Sequence, residues 1–117
     1  MKTLHLNLKK QWFDMVLMGQ KKTEYIEINE ASVKMLFNQT QSGLIYEDFI
    51  NAFKNDLPYS KALIKYFKGF NNITFKCEEK SFTIELQSFS INTGRNEWGA
   101  IPGVRYFCFN LGVVIIK

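Results

Sequence analysis

At Asn71 the spacing of apolar residues changes from a helical repeat to a strand repeat, and this switch limits the architectures open to the chain. Before it, Tyr46, Phe49, Ile50 and Phe53 recur at i, i+3, i+4 and i+7, the pattern of a helix with one buried face. After it, Ile73, Phe75 and Cys77 alternate with Asn72, Thr74 and Lys76, and Phe82, Ile84 and Leu86 alternate again beyond a turn at Glu78, Glu79 and Lys80. Two early strands, over residues 3–8 and 24–28, frame the first helix. Helices thus fall mostly in the first half and strands mostly in the second, an α+β class. Five or six short strands rich in Phe, Ile and Leu favour a small closed or nearly closed barrel with helices against it.

The remaining elements follow from local signals. Leu4, Leu6 and Leu8 share one face of the first strand, which leaves His5 outward or at the rim. A helix over residues 10–18 carries a broad apolar face of Trp12, Phe13, Met15, Val16 and Leu17, and Gly19 supplies the positive φ that lets the chain leave it. Asn29 caps a helix over 31–37, residues 38–43 form a polar loop, and a helix over 46–55 ends before Pro58. Ser60 is expected to cap a further helical segment running to Phe67, closed by Gly69. In the strand half the apolar register slips from even to odd numbers after Leu86, which predicts a β-bulge at Gln87 and Ser88. Residues 94–103 are turn-rich. Phe107, Phe109, Leu111, Val113 and Ile115 form a last alternating face, with Gly112 expected to mark a kink between two short strands.

A chain of 117 residues is expected to form one domain, residues 1–117, and its eleven Phe argue for a packed core rather than disorder. No apolar run nears the roughly 18 residues of a membrane-spanning helix, and the opening residues alternate rather than forming a signal-type stretch. A cytoplasmic protein without a membrane role is the expectation. Cys77 and Cys108 read as reduced thiols among bulky apolar neighbours, and with one histidine no zinc site is visible, so no cofactor is expected. The net charge of +4 rests on thirteen lysines and only two arginines, Arg95 and Arg105. That charge permits nucleic-acid binding without demanding it. Its distribution is more informative: Lys2, Lys9, Lys10, Lys21 and Lys22 are opposed by Asp14 alone in the first 22 residues.

Two short motifs stand out. The first is Gly19, Lys21 and Glu24, with Ile26 two residues on. The second is Glu97-Trp98-Gly99-Ala100, followed by Pro102-Gly103, a strand over 106–111 and Gly112. In order and spacing the pair resembles the ASCH domain, a small barrel related to the PUA family, whose signature Gly-x-Lys-x-x-Glu-x-Arg ends in an arginine where this chain has Ile26. The resemblance spans nearly the whole chain. It implies a PUA-like barrel with a cleft lined by the Gly-x-Lys-x-x-Glu turn and the Trp-Gly loop. Relatives are linked to RNA or nucleotide recognition, and one bacterial relative is an amidohydrolase acting on N4-acetylcytidine.

The site this implies consists of Lys21, Lys22, Thr23, Glu24 and Trp98. A lysine offers a point charge for phosphate or a developing oxyanion, a carboxylate accepts from an exocyclic amine, and an indole offers a stacking face. Each residue also has a plain structural reading: a solvated turn lysine for Lys21, a strand-edge ion-pair partner for Glu24, and a lid over the core for Trp98. In a partly closed cleft, desolvation and the neighbouring Lys22 would both lower the pKa of Lys21 and make it a candidate base. Thr23 stands one residue before the position of the relative's catalytic threonine, which Glu24 occupies, and points to the opposite face of a strand. Ile26 removes the guanidinium that would grip a phosphate. Arg95 and Arg105 read as solvated strand-end residues, and nothing selects among Glu78, Glu79 and Glu85 as a base. Three functions remain open: an ASCH-type module binding RNA or a nucleotide-like ligand, an amidohydrolase with Lys21 and Glu24 as catalytic residues, or a domain that binds a protein partner.

Overall fold

The computed structural model describes residues 2–38 and 46–117, so most of the polar loop predicted at 38–43 lies outside the described residues. The architecture is α+β. In chain order the elements are β1 (Thr3–Asn7), α1 (Lys10–Leu17), β2 (Thr23–Glu27), α2 (Glu30–Leu36), α3 (Tyr46–Lys54), α4 (Ser60–Leu63), β3 (Asn72–Cys77), β4 (Lys80–Thr93) and β5 (Arg105–Ile116). Short 3-10 turns lie at Ile64–Tyr66 and Asn96–Trp98. The strands form one five-stranded sheet in the order β1-β3-β4-β5-β2. β1 runs parallel to β3, with Leu4 opposite Ile73 and Leu6 opposite Phe75, and β3 and β4 form an antiparallel hairpin closed by Cys77 opposite Lys80. Among the described residues no helix is long and apolar enough to cross a membrane.

The described residues pack as two compact units. The first comprises Met1–Glu24, Gly69–Ser90 and Cys108–Lys117. Its core follows from the alternation read in the sequence, with Leu4, Ile73, Phe75, Phe82, Ile84 and Phe109 buried. Helix α1 covers them because Phe13 and Val16, three residues apart, both point inward. The Phe13 ring meets Phe82 edge-on at 4.9 Å, and truncating Phe13 to alanine would cost about 3–5 kcal/mol.

The second unit comprises Tyr25–Lys68 and Ile91–Phe107. Phe37 is its hub, with ring centroids of Phe49, Phe53, Phe67 and Phe107 between 5.2 and 6.0 Å away. Asn29 caps α2 as expected, and the structure adds a reciprocal bond: Ser32 N donates to Asn29 Oδ1 at 2.9 Å while Asn29 N donates to Ser32 Oγ at 3.0 Å. Arg105 is not a solvated strand end. Its Nε donates to the carbonyl of Phe53 at 2.9 Å and its Nη2 to that of Ile91 at 3.1 Å, with Asp56 at 3.4 Å, so the guanidinium satisfies a helix carbonyl and a strand carbonyl together.

Three other expectations are corrected. Ser60 is the first residue of α4 rather than its cap; Tyr59 holds the cap position without a side-chain bond, and the segment continues as the 3-10 turn to Tyr66, with Phe67 at its end. Gly112 does not divide two strands, because β5 runs unbroken from Arg105 to Ile116. A Cβ at this glycine would run into the Glu85 carboxylate, which would have to swing aside to admit a side chain. Val113 and Ile115, expected on one face with Phe107, Phe109 and Leu111, are both exposed, and Tyr106 and Cys108 between and beside those residues are buried as well. The β-bulge expected at Gln87 and Ser88 falls within β4, a single strand from Lys80 to Thr93 in which both residues are exposed, after buried Phe82 and Ile84. Cys77 and Cys108 are both free thiols.

Candidate ligand site at Lys21 and Glu24

The turn after α1 sets the site. Gly19 adopts φ +77°, and the amides of Gln20 and Lys21 both donate to the Met15 carbonyl, at 2.8 and 3.1 Å. Those two hydrogen bonds tie the chain back to the last helical turn and aim the Lys21 side chain inward. Lys21 Nζ lies 2.8 Å from Glu24 Oε2, with only 1% of the lysine side chain and 7% of the glutamate side chain exposed. The same ammonium sits 4.3 Å from the centroid of the Trp12 ring, within cation–π range. Lys21 is therefore clamped between a carboxylate and an indole, and its reading as a solvated turn lysine is overturned.

Burial holds the Lys21 ammonium below its ordinary pKa, and the charge and hydrogen bond of Glu24 push in the opposite direction. Lys22 has no part in that shift: its side chain is exposed, and its carbonyl accepts from Leu111 N at 2.9 Å. Thr23 is half-buried and donates from Oγ1 to Asn110 Oδ1 at 3.0 Å. Ile26 is half-buried in β2.

Trp98 belongs to the other unit. It is half-buried at the end of the 3-10 turn Asn96–Trp98, with the Arg95 guanidinium 4.8 Å from its ring and Arg95 also 3.6 Å from Glu97. The residues that lie together within the first unit are Lys21, Glu24 and Trp12. Sequence reasoning places Trp12 in the apolar face of α1 and misses its contact with the lysine. The available signal is the short turn that returns Lys21 to the helix it has just left.

No protein-family model, curated protein or solved structure matches this chain.

The Lys21 ammonium and the Glu24 carboxylate thus satisfy each other beside the Trp12 ring, almost wholly withdrawn from solvent. Among the described residues no group of three or more His, Cys, Asp or Glu side chains could hold a metal ion.

Proposed function

We propose that the chain is a binding module of ASCH type that recognises RNA or a nucleotide-like ligand at the Lys21–Glu24 pair. The observation that carries this reading is the burial of that pair at the exit of α1. Removing two charges from water costs several kcal/mol per ion, and such a pair adds little stability over an apolar one of the same volume. Its chemical use is recognition. Because the two groups are buried against each other, recognition requires the turn to open: Glu24 then accepts from an exocyclic amine, Lys21 donates to a ring carbonyl or phosphate oxygen, and exposed Lys22 adds a phosphate contact. Trp12 takes the place beside the lysine that the sequence alone suggests for Trp98.

The test is thermal unfolding and titration with a single-stranded RNA oligonucleotide and with cytidine 5′-monophosphate. Binding that raises the melting temperature, weakens with salt, weakens several-fold in Lys22→Ala and disappears in the double variant Lys21→Met/Glu24→Leu is the expected result. A protein that neither ligand stabilises would sink the reading and favour a protein partner.

The second reading, an amidohydrolase on an N4-acylated cytidine, draws support from the depressed pKa of Lys21 beside a carboxylate. Thr23, bonded to Asn110, stands one position from where the relative's threonine would be. Release of acetate from N4-acetylcytidine, abolished by Lys21→Met, is the expected outcome; no turnover at high protein concentration removes this reading.

A further inference from the structure

The only histidine lies away from the Lys21–Glu24 pair, in a hollow of about 370 Å³ lined by His5, Leu6, Asn7, Thr74, Lys76, Glu79 and Ser81. The strand register explains why these side chains meet. Asn7, Lys76 and Ser81 form one row across β1, β3 and β4, and His5 and Thr74 lie in the next row. Strands about 4.8 Å apart and a rise of about 3.3 Å per residue place the His5 and Lys76 backbones about 8 Å apart, so two long side chains can close on one oxyanion between them. His5, Asn7, Thr74, Lys76 and Ser81 alternate with the buried Leu4, Ile73, Phe75, Phe82 and Ile84, and therefore occupy the face of the sheet away from α1, with Glu79 at the turn between β3 and β4.

Thr74 spends its hydroxyl on Thr83, at 2.7 Å. Among the described residues the side chains of His5, Asn7, Lys76, Glu79 and Ser81 make no hydrogen bond or ion pair with the protein. An imidazole, an amide, an ammonium and a hydroxyl thus present unspent donors around one hollow, against a single carboxylate at its rim. The excess of donors selects an anion, and the volume, within the range of small-molecule sites, exceeds what a bare oxyanion needs. The carboxylate of Glu79 would repel a second anionic group but accepts readily from hydroxyls.

From this we infer a second binding site, formed by His5, Asn7, Lys76 and Ser81, for a small phosphorylated polyol: the phosphate held between Lys76 and His5, the hydroxyls by Glu79 and Asn7. It shares no residue with the Lys21–Glu24 site and stands or falls separately.

The single histidine makes the test direct. The ring-proton signals of His5 are followed by NMR at fixed ionic strength during titration with D-ribose 5-phosphate, inorganic phosphate, D-ribose and sodium sulfate. The expected result is a saturable shift with D-ribose 5-phosphate, binding at least about fivefold weaker for inorganic phosphate, and none for ribose. Lys76→Ala should weaken the ester about tenfold, as loss of a charge-assisted contact does, and Lys54→Ala, an exposed lysine of the other unit, should leave it unchanged. His5 and Lys76 are exposed, so neither variant threatens folding. A shift that sulfate reproduces, inorganic phosphate binding as tightly as the ester, equal binding by Lys76→Ala, or no saturable shift would each overturn the inference.

Discussion

Two lysine–carboxylate pairs of identical length sit at the two ends of the first helix and its turn. Lys10 Nζ lies 2.8 Å from Asp14 Oδ2 and Lys21 Nζ lies 2.8 Å from Glu24 Oε2. The Lys10 pair is open to solvent, with side chains 76% and 47% exposed, whereas those of the Lys21 pair are 1% and 7% exposed. Environment, not distance, separates them. The two ammonium groups shift in opposite directions: Asp14 raises the pKa of Lys10 by hydrogen bond and charge, while burial lowers that of Lys21 despite Glu24. A surface pair decorates a helix that would form without it; a buried pair must be satisfied or the fold suffers.

The largest effect tests that asymmetry directly. Lys21→Met leaves the Glu24 carboxylate buried without its ammonium and should lower unfolding free energy by about 3–5 kcal/mol in urea titration. An unchanged urea midpoint would show that the pair contributes nothing to the folded state. The double variant Lys21→Met/Glu24→Leu should then recover most of that loss, ending within about 2 kcal/mol of wild type or above it, since an apolar pair of similar volume avoids desolvation. A double variant no more stable than the single one would mean that the local packing, not the charge, was lost.

pH sharpens the contrast through opposite signs. For Lys21 the folded pKa lies below the unfolded value of 10.5, so between the two the unfolded chain binds more protons and stability rises with pH. Wild type should therefore gain on the double variant as pH climbs toward 10.5, and the emission of Trp12, isolated in a Trp98→Phe background, should change over the same interval. For Lys10 the folded pKa is raised, so its contribution is full below 10.5 and is lost as pH rises through the folded value. The smallest effect is Lys10→Met: a urea midpoint within error of wild type in about 1 M salt, where an exposed pair is screened. A clear shift at that salt concentration would contradict the contrast.

Much of the fold is legible in the sequence because it rests on repeats that burial enforces. The alternation of Ile73, Phe75, Phe82 and Ile84 reads directly as a hairpin with one buried face, and Asn29 announces α2. What escapes are features decided by tertiary neighbours. Gly112 looks like a strand breaker in sequence, yet β5 passes through it unbroken with the Glu85 carboxylate folded over it. Arg105 looks solvated until the carbonyls of Phe53 and Ile91 are brought to it. At the candidate site, the Lys21–Glu24 pairing is among the structural readings, whereas the indole beside it is not, because Trp12 already has an adequate explanation as a core residue.

Two phenols fix the course of the segment between β4 and β5. Tyr25 accepts from the backbone amide of Arg95, and Tyr106 accepts from that of Ile101, both at 3.0 Å. Each anchor grips main chain, so the path of that segment is dictated by residues outside it; apart from Gly94, where a Cβ would run into the Tyr25 ring, buried Ala100 and the positive-φ Gly99 and Gly103, the side chains it displays are not set by those tethers. Such a segment can diversify, through drift or directed selection, without losing its trajectory, much as a trellis holds successive plantings in one shape.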